Sequence, residues 1–132
     1  IAVLAAAVAD YKPAEQAADK IKKKESTLSL ELVKTKDILA GLGKIKQPGQ
    51  TLIGFALETN NELAYAAKKL VEKNADMIVM NSLKDEGAGF GHDTNKITLL
   101  KPGKEPVSLP LQSKADAAAA IVGHIVELRC AL

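Results

Sequence analysis

Tryptophan is absent from these 132 residues, and Phe and Tyr together make up only 3% of them. That scarcity argues against the stacking surfaces that hold single-stranded nucleic acids. A net charge of +2 is likewise too small to suggest a nucleic-acid partner. Cysteine occurs once, as Cys130. No disulfide framework or paired-cysteine zinc site can therefore form within the chain, and a reducing, cytoplasmic home is expected. A lone thiol so near the chain end reads as incidental rather than nucleophilic. No apolar run approaches the ~20 residues of a membrane span, so no membrane partner is expected. The opening Ile1–Ala7 run is short and has no basic segment before it, which argues against a signal peptide. The first residue is not Met, and the start in mid-run reads as that of a fragment.

What is present is ordinary for a globular protein: 47% hydrophobic and 26% charged residues, in a length that suits a single domain over 1–132. Ile1–Ala9 is an apolar run closed by Asp10-Tyr11-Lys12-Pro13, the pattern of a buried strand leaving a sheet. Residues 14–26 are polar and lysine-rich and predict a loop or short helix. Leu28, Leu30 and Leu32 alternate with Ser29, Glu31 and Val33, as in a half-buried strand. A short helix is expected from Asp37 to Leu42, ending at Gly43, and a strand over Thr51–Leu57. Thr59 and Glu62 have capping-box spacing. Behind them Leu63, Ala66, Ala67, Leu70 and Val71 make one helical stripe. Met77–Met80 is uninterrupted and apolar, as in a strand covered on both faces. Residues 82–95 predict a loop, Ile97–Leu100 and Val107–Leu111 two short strands around Pro102-Gly103, and Ser113 and Asp116 the start of a last helix with Ile121, Ile125 and Leu128 inward. The succession predicts an α/β fold, a Rossmann-like parallel sheet with helices on both faces and a small β extension.

Ligands of open α/β sheets bind beyond the carboxyl ends of the strands. Three predicted strands end in polar residues there, at Asp10, at Glu58–Asn61 and at Asn81. Each alone could be a turn or cap; three on one edge suggest a crevice. Lys69 and Lys73, four apart, lie close on one helix surface. They are either a solvated face or a phosphate site. The run Lys20, Lys22, Lys23, Lys24 is either solvated charge or a flap that closes over an anion. Gly87–Gly91 lacks the preceding strand and following helix of a dinucleotide loop, and no Gly-Lys-Ser/Thr follows it. His92 and His124 are too isolated to bind metal, and Ser82 has no evident His-Asp partners.

Ala5–Tyr11, Lys20–Lys23, Gly54–Asn60 and the segment Asp76–Asn95, with Gly89-Phe90 and Asp93-Thr94-Asn95, closely resemble the bacterial phosphopantothenoylcysteine synthetases in order and spacing. The resemblance implies a ligase of coenzyme A biosynthesis. The carboxylate of 4′-phosphopantothenate attacks the α-phosphate of CTP, and cysteine then displaces CMP from the acyl-cytidylate, with Mg²⁺ and lysines offsetting the triphosphate. It implies that Leu4, Ala5, Ala6 and Asp10 meet the nucleotide, and that Lys36, Asp37, Ile38, Leu39 and Phe55 border the cytidine. Lys69 and Lys73 would hold phosphates, and Lys20 would be the catalytic lysine of the flap. Asn60, Asn81 and Phe90 would belong to the substrate loop. A homodimer is implied, with Leu28–Val33 as a candidate pairing strand, and FMN only where a decarboxylase is fused upstream.

Two departures stand out. Asn81-Ser82 replaces a common Asn-Asp, which puts any role of that acidic residue in doubt, and Lys36 replaces a frequent proline. The family's N-terminal part has no counterpart here, so this chain alone is not expected to complete the reaction. A non-catalytic nucleotide-binding module and an ATP-using synthetase are the alternatives. A nicotinamide-dependent Rossmann dehydrogenase lacks both its glycine turn and its ribose-binding acid.

Overall fold

A computed structural model describes residues 1–22, 26–58, 61–82 and 91–130. Its centre is a five-stranded sheet in the order β1 (Ala2–Leu4), β4 (Leu52–Glu58), β5 (Met77–Ser82), β7 (Ile97–Leu100) and β8 (Val107–Ser108). β1, β4 and β5 are parallel; β7 and β8 continue the sheet antiparallel and form the expected β extension. Strand β5 thus has neighbours on both sides, and Met77, Ile78 and Val79 are completely buried.

Side chains alternate across the sheet with the period of two that a strand imposes. Ile53, Met77, Val79, Ile97 and Leu99 point to one face and meet Ala117, Ile121 and Ile125 of α3 (Lys114–Cys130). Ala56, Ile78, Met80 and Leu100 point to the other and meet Ala66 and Leu70 of α2 (Glu62–Glu72), with Leu39 of α1 (Ile38–Ile45) packed beside them. Helices therefore cover both faces, as expected.

Several local expectations need correction. β1 holds only three residues of the Ile1–Ala9 run, and β3 (Leu32–Lys34) only the end of the Leu28–Val33 alternation. Tyr11–Pro13, expected as an exit from the sheet, is itself strand β2 and pairs antiparallel with β3 in a separate ribbon. Proline is tolerated there because it ends the strand. β6 (Thr94–Asn95) falls within the stretch expected as a loop, and its partner β9 (Gln112–Ser113) lies between the expected strand Val107–Leu111 and the last helix. The α2 stripe is narrower than its apolar pattern, since Leu63 and Val71 are exposed and only Ala66 and Leu70 are buried. Thr59 lies outside the described residues; α2 starts at Glu62 with Asn61 as its N-cap, so Glu62 stands in the first position and not the third. At α3 the expected cap is present, Ser113 Oγ accepting from Asp116 N at 3.0 Å.

The remaining correction explains a close contact. Gly43 was expected to end α1, yet the helix continues to Ile45 and Gly43 is buried inside it. A Cβ at Gly43 would stand 1.9 Å from the carbonyl oxygen of Lys73, at the end of α2. Asn74 Nδ2 donates to Gly43 O at 2.9 Å across the same contact. Below it, Asp76 accepts from Leu52 N at 2.7 Å and from Lys46 Nζ at 2.9 Å, and Lys46 also reaches Asn74 O at 2.7 Å. A second pin holds α3 to the end of β7: Lys101 Nζ lies 3.0 Å from His124 Nδ1, and Glu127 Oε2 lies 2.9 Å from that nitrogen. His124 thus stands beside the Lys101–Glu127 ion pair, whose charged atoms are 3.4 Å apart.

The same substitution two residues apart in α1 should have opposite effects. Gly43→Ala is expected to destabilise the fold by about 3 kcal/mol, because the new methyl meets backbone. Gly41→Ala, whose nearest neighbour is a Lys36 side-chain atom at 4.0 Å, should stabilise it by about 0.5–1 kcal/mol. Urea midpoints of the two variants check this, and shifts of the same sign would contradict it.

Candidate functional site

The parallel strands β1, β4 and β5 end on one edge, at Leu4, Glu58 and Ser82. Leu4 is half-buried where β1 ends, and Ala5, Ala6 and Asp10 follow it exposed. Asp10 is fixed through its backbone: its carbonyl accepts from Thr35 N at 2.9 Å, and Thr35 Oγ1 donates to Ala9 O at 2.7 Å. The β2–β3 ribbon is thereby tied back to the segment that leaves β1.

Helix α1 begins at the same edge. Asp37 is its N-cap, and its Oδ1 accepts from Ala40 N at 2.8 Å, satisfying one of the free donors of the first turn. Ile38 is exposed and Leu39 half-buried. Leu39 reaches the sheet over Gly54, where a Cβ would stand 2.6 Å from a Leu39 methyl and 3.0 Å from Ile78. The missing side chain at Gly54 lets α1 lie this close to β4.

Helix α2 runs away from this edge, yet Lys69 in its last turn and Lys73 at its C-cap reach back toward it. Helical side chains lean toward the N-terminus of their helix, so Lys69 and Lys73 extend back up the groove between α1 and α2. Lys69 Nζ lies 3.6 Å from Glu58 Oε1, at the end of β4. Lys73 Nζ lies 2.8 Å from Asp37 Oδ2. The Lys73 hydrogen bond holds the Asp37 carboxyl below its ordinary range, with help from the Ala40 N–H and the charge of Lys69. Two ammonium groups and two carboxylates thus stand together here, near enough for the charge of Lys69 to act on Asp37.

The sequence pattern leaves Lys69 and Lys73 as a solvated face or a phosphate site, the resemblance favours the latter, and neither indicates the carboxylate partners. Glu58 and Lys69 are joined only because α2 doubles back on β4, a relation with no local signature. For Asp37 the signal was available, an Asp directly before Ile-Leu-Ala at a helix start.

The remaining candidates are dispersed. Phe55 is half-buried and packs with the α3-facing cluster, across β4 from Leu39. Lys20 and Lys36 are exposed, and no hydrogen bond or ion pair joins Lys20 to the groove among the described residues. Asn81 Oδ1 accepts from Asn95 Nδ2 at 3.3 Å, which ties the end of β5 to β6. Asn60, Phe90, Lys23 and Lys24 lie outside the described residues. A depression of about 310 Å³ lies at the opposite edge, lined by Leu42, Ile45, Lys46 and Thr51 among others. Lys46, which lines it, is committed to Asp76 and to the carbonyl of Asn74.

The depressed carboxyl of Asp37 sets a pH dependence. A carboxyl with a lowered folded pKa contributes stability that is present above its ordinary value near 3.8 and lost as pH falls through the lowered one. Asp37→Asn keeps a capping oxygen but loses the charge. Parent and variant should therefore differ in thermal midpoint at pH 7 and converge as pH falls below the lowered pKa of Asp37. Asp37→Ala should cost about 1 kcal/mol more at pH 7 through loss of the cap. A gap between parent and Asn variant that persists or widens in acid would contradict the ion pair.

Residues 1–128 match the family model of the DNA/pantothenate metabolism flavoprotein C-terminal domain. The coenzyme A biosynthesis bifunctional protein CoaBC of Bacillus subtilis (strain 168) is 44% identical over 128 residues, 97% of this chain and 31% of that protein. CoaBC of Escherichia coli (strain K12) is 38% identical over 124 residues, 92% of this chain and 30% of that protein. A cysteine/cysteine sulfinic acid decarboxylase from an unknown prokaryotic organism is 48% identical over 128 residues, 97% of this chain and 36% of that protein. The chain spans about a third of the length of these curated relatives. Among solved structures, the C-terminal domain of CoaBC superposes with a TM-score of 0.71 at 41% identity, covering 93% of this chain and 51% of that one. The DNA/pantothenate metabolism flavoprotein from Streptococcus pneumoniae, at 24% identity and a TM-score of 0.65, covers 92% of this chain and 57% of that one, and shares the fold. A family model matched over residues 1–128, on the same fold as a solved CoaBC C-terminal domain, means that the chain belongs to the DNA/pantothenate metabolism flavoprotein C-terminal domain family.

Proposed function

We propose that this chain is the nucleotide-binding part of a phosphopantothenate–cysteine ligase, with residues 1–132 forming the C-terminal part of one synthetase domain. The relatives named for coenzyme A biosynthesis supply the context. The observation that carries the nucleotide reading is the pair Lys69 and Lys73, both brought to the crevice at the carboxyl edge of the parallel strands.

In the reaction, a carboxylate oxygen of 4′-phosphopantothenate attacks the α-phosphorus of CTP. The bond to the bridging oxygen breaks, and pyrophosphate leaves with the electron pair. The amine of L-cysteine then attacks the acyl carbon of the cytidylate, CMP leaves and an amide remains. Negative charge moves onto the leaving phosphates in the first step, and Lys69 and Lys73 are placed to offset it as point charges. Leu4–Ala6, with Asp10 behind them, border the nucleotide from β1, while Lys36–Leu39 and Phe55 border the base. Lys20 closes from the β2–β3 connection and acts on the reacting centre, with the loops carrying Asn60 and Phe90 and the strand end at Asn81 on the substrate side. Among the described residues no three His, Cys, Asp or Glu side chains converge to hold a metal. No step is therefore assigned to a protein-held Mg²⁺, an ion that commonly binds largely through substrate phosphates. FMN belongs to this protein only where a decarboxylase domain precedes the chain.

Two further assignments accompany this reading. Tyr11, Leu32 and Val33 of the ribbon are exposed, as are Leu28 and Leu30 before it. A lone two-stranded ribbon is marginal in water, and pairing with a second copy would cover it. A homodimer is therefore proposed. The cytoplasm is the proposed location: Cys130 is a free thiol, and among the described residues no helix is long and apolar enough to cross a membrane.

Pyrophosphate release tests the reading, measured on the full-length protein with 4′-phosphopantothenate, cysteine and Mg²⁺. Release with CTP that requires 4′-phosphopantothenate and falls about 100-fold or more in Lys20→Gln is expected, the scale on which removal of one electrostatic stabiliser acts. No release with CTP or ATP from a well-folded protein would leave a non-catalytic nucleotide-binding module as the account. Equal release with both nucleotides would remove the preference for CTP.

A further inference from the structure

Each ammonium group proposed to receive phosphate already has a carboxylate partner. Lys73 Nζ is 2.8 Å from Asp37 Oδ2 and Lys69 Nζ is 3.6 Å from Glu58 Oε1. The carboxylates stand on shorter stems than the lysines, and one of them is fixed by a second bond. Asp37 is held at the start of α1 by the bond from Ala40 N to its other oxygen. Glu58 is the last residue of β4, and its side chain is only 19% exposed. The lysines sit on flexible four-carbon stems. A phosphate that takes Lys73 or Lys69 therefore leaves behind a carboxylate that stays in place and can recapture the ammonium group.

We propose that Asp37 and Glu58 compete with bound phosphates for Lys73 and Lys69, and so hasten departure of the pyrophosphate product. The inference rests on the reading that these lysines hold nucleotide phosphates, and it adds two residues that act through them. Four charges summing to zero hold a polyphosphate anion more weakly than two bare lysines would. The nucleotide keeps its other contacts, through its base and sugar, whereas free pyrophosphate has the lysines as its principal hold. The competition thus bears most on the product.

Binding of inorganic pyrophosphate to the full-length protein, measured by calorimetry, tests this. Exposed ion pairs are weak, so Asp37→Asn and Glu58→Gln should each tighten pyrophosphate by roughly 1.5- to fivefold, and the double variant by about the product of the two. Tightening should appear mainly as a slower dissociation rate in stopped flow. Asp37→Ser, which also caps a helix, replaces Asp37→Asn if the latter folds poorly. Lys69→Gln and Lys73→Gln separate the two levels of the argument. If they weaken pyrophosphate while the carboxylate variants leave it unchanged or weaken it, the competition is wrong and the phosphate site stands. If the lysine variants leave pyrophosphate binding unchanged, the phosphate site falls and the competition with it.

Discussion

The close approach of α1 to the last turn of α2 and to β4 is the constraint on which the site depends. It depends on two glycines, strictly at Gly43, where a Cβ would meet backbone, and less strictly at Gly54, where it would meet side-chain ends. At Gly43 any Cβ would collide with the carbonyl of Lys73, and at Gly54 it would collide with Leu39. With both positions empty, α1 settles into the angle between α2 and the sheet. Its N-terminus and Asp37 then come within a hydrogen bond of Lys73. Push α1 out by the width of a methyl group and the Asp37–Lys73 pair opens, although neither residue has changed. The network of Lys46, Asn74 and Asp76 closes the far end of the same contact, so the groove is held from below as well as from the side.

Placement of the charges follows from helix direction. A helix leaving the carboxyl edge of a sheet carries its C-terminal residues away from the ligand, and Lys69 lies in the last turn of α2 with Lys73 as its C-cap. Only the backward lean of helical side chains, together with the length of lysine, returns their ammonium groups to the edge. Residues so extended gain from fixed partners, and Glu58 and Asp37 supply them. The partners that hold the lysines in place are the same ones that an incoming anion must displace.

Much of this was legible before any coordinates. The unbroken Met77–Met80 run identified the most buried strand and its cover on both faces. The Ser113–Asp116 cap located the last helix. The misreadings share a physical cause, namely that local pattern does not report what another segment brings. The glycine at position 43 looks like a helix stop by itself, but within the fold it is a contact point whose partner lies thirty residues on, at Lys73. The Leu28–Val33 alternation describes a strand, but β2 offers pairing only to its end. At the site, lysines four apart were visible as a pair, whereas the link from Lys69 to Glu58 arises only when α2 folds back along β4. Family membership reaches further than the geometry, because the residues that carry the resemblance recur in order along the chain.

The central claim is that nucleotide phosphates lie in the groove between α1 and α2, at the carboxyl edge of the parallel strands. A crystal structure of the full-length protein with CTP bound tests it most directly. The expected result has phosphate oxygens within about 3 Å of the ammonium groups of Lys69 and Lys73, with the Asp37 and Glu58 pairs loosened. A nucleotide bound elsewhere, with both ion pairs intact, would contradict the account.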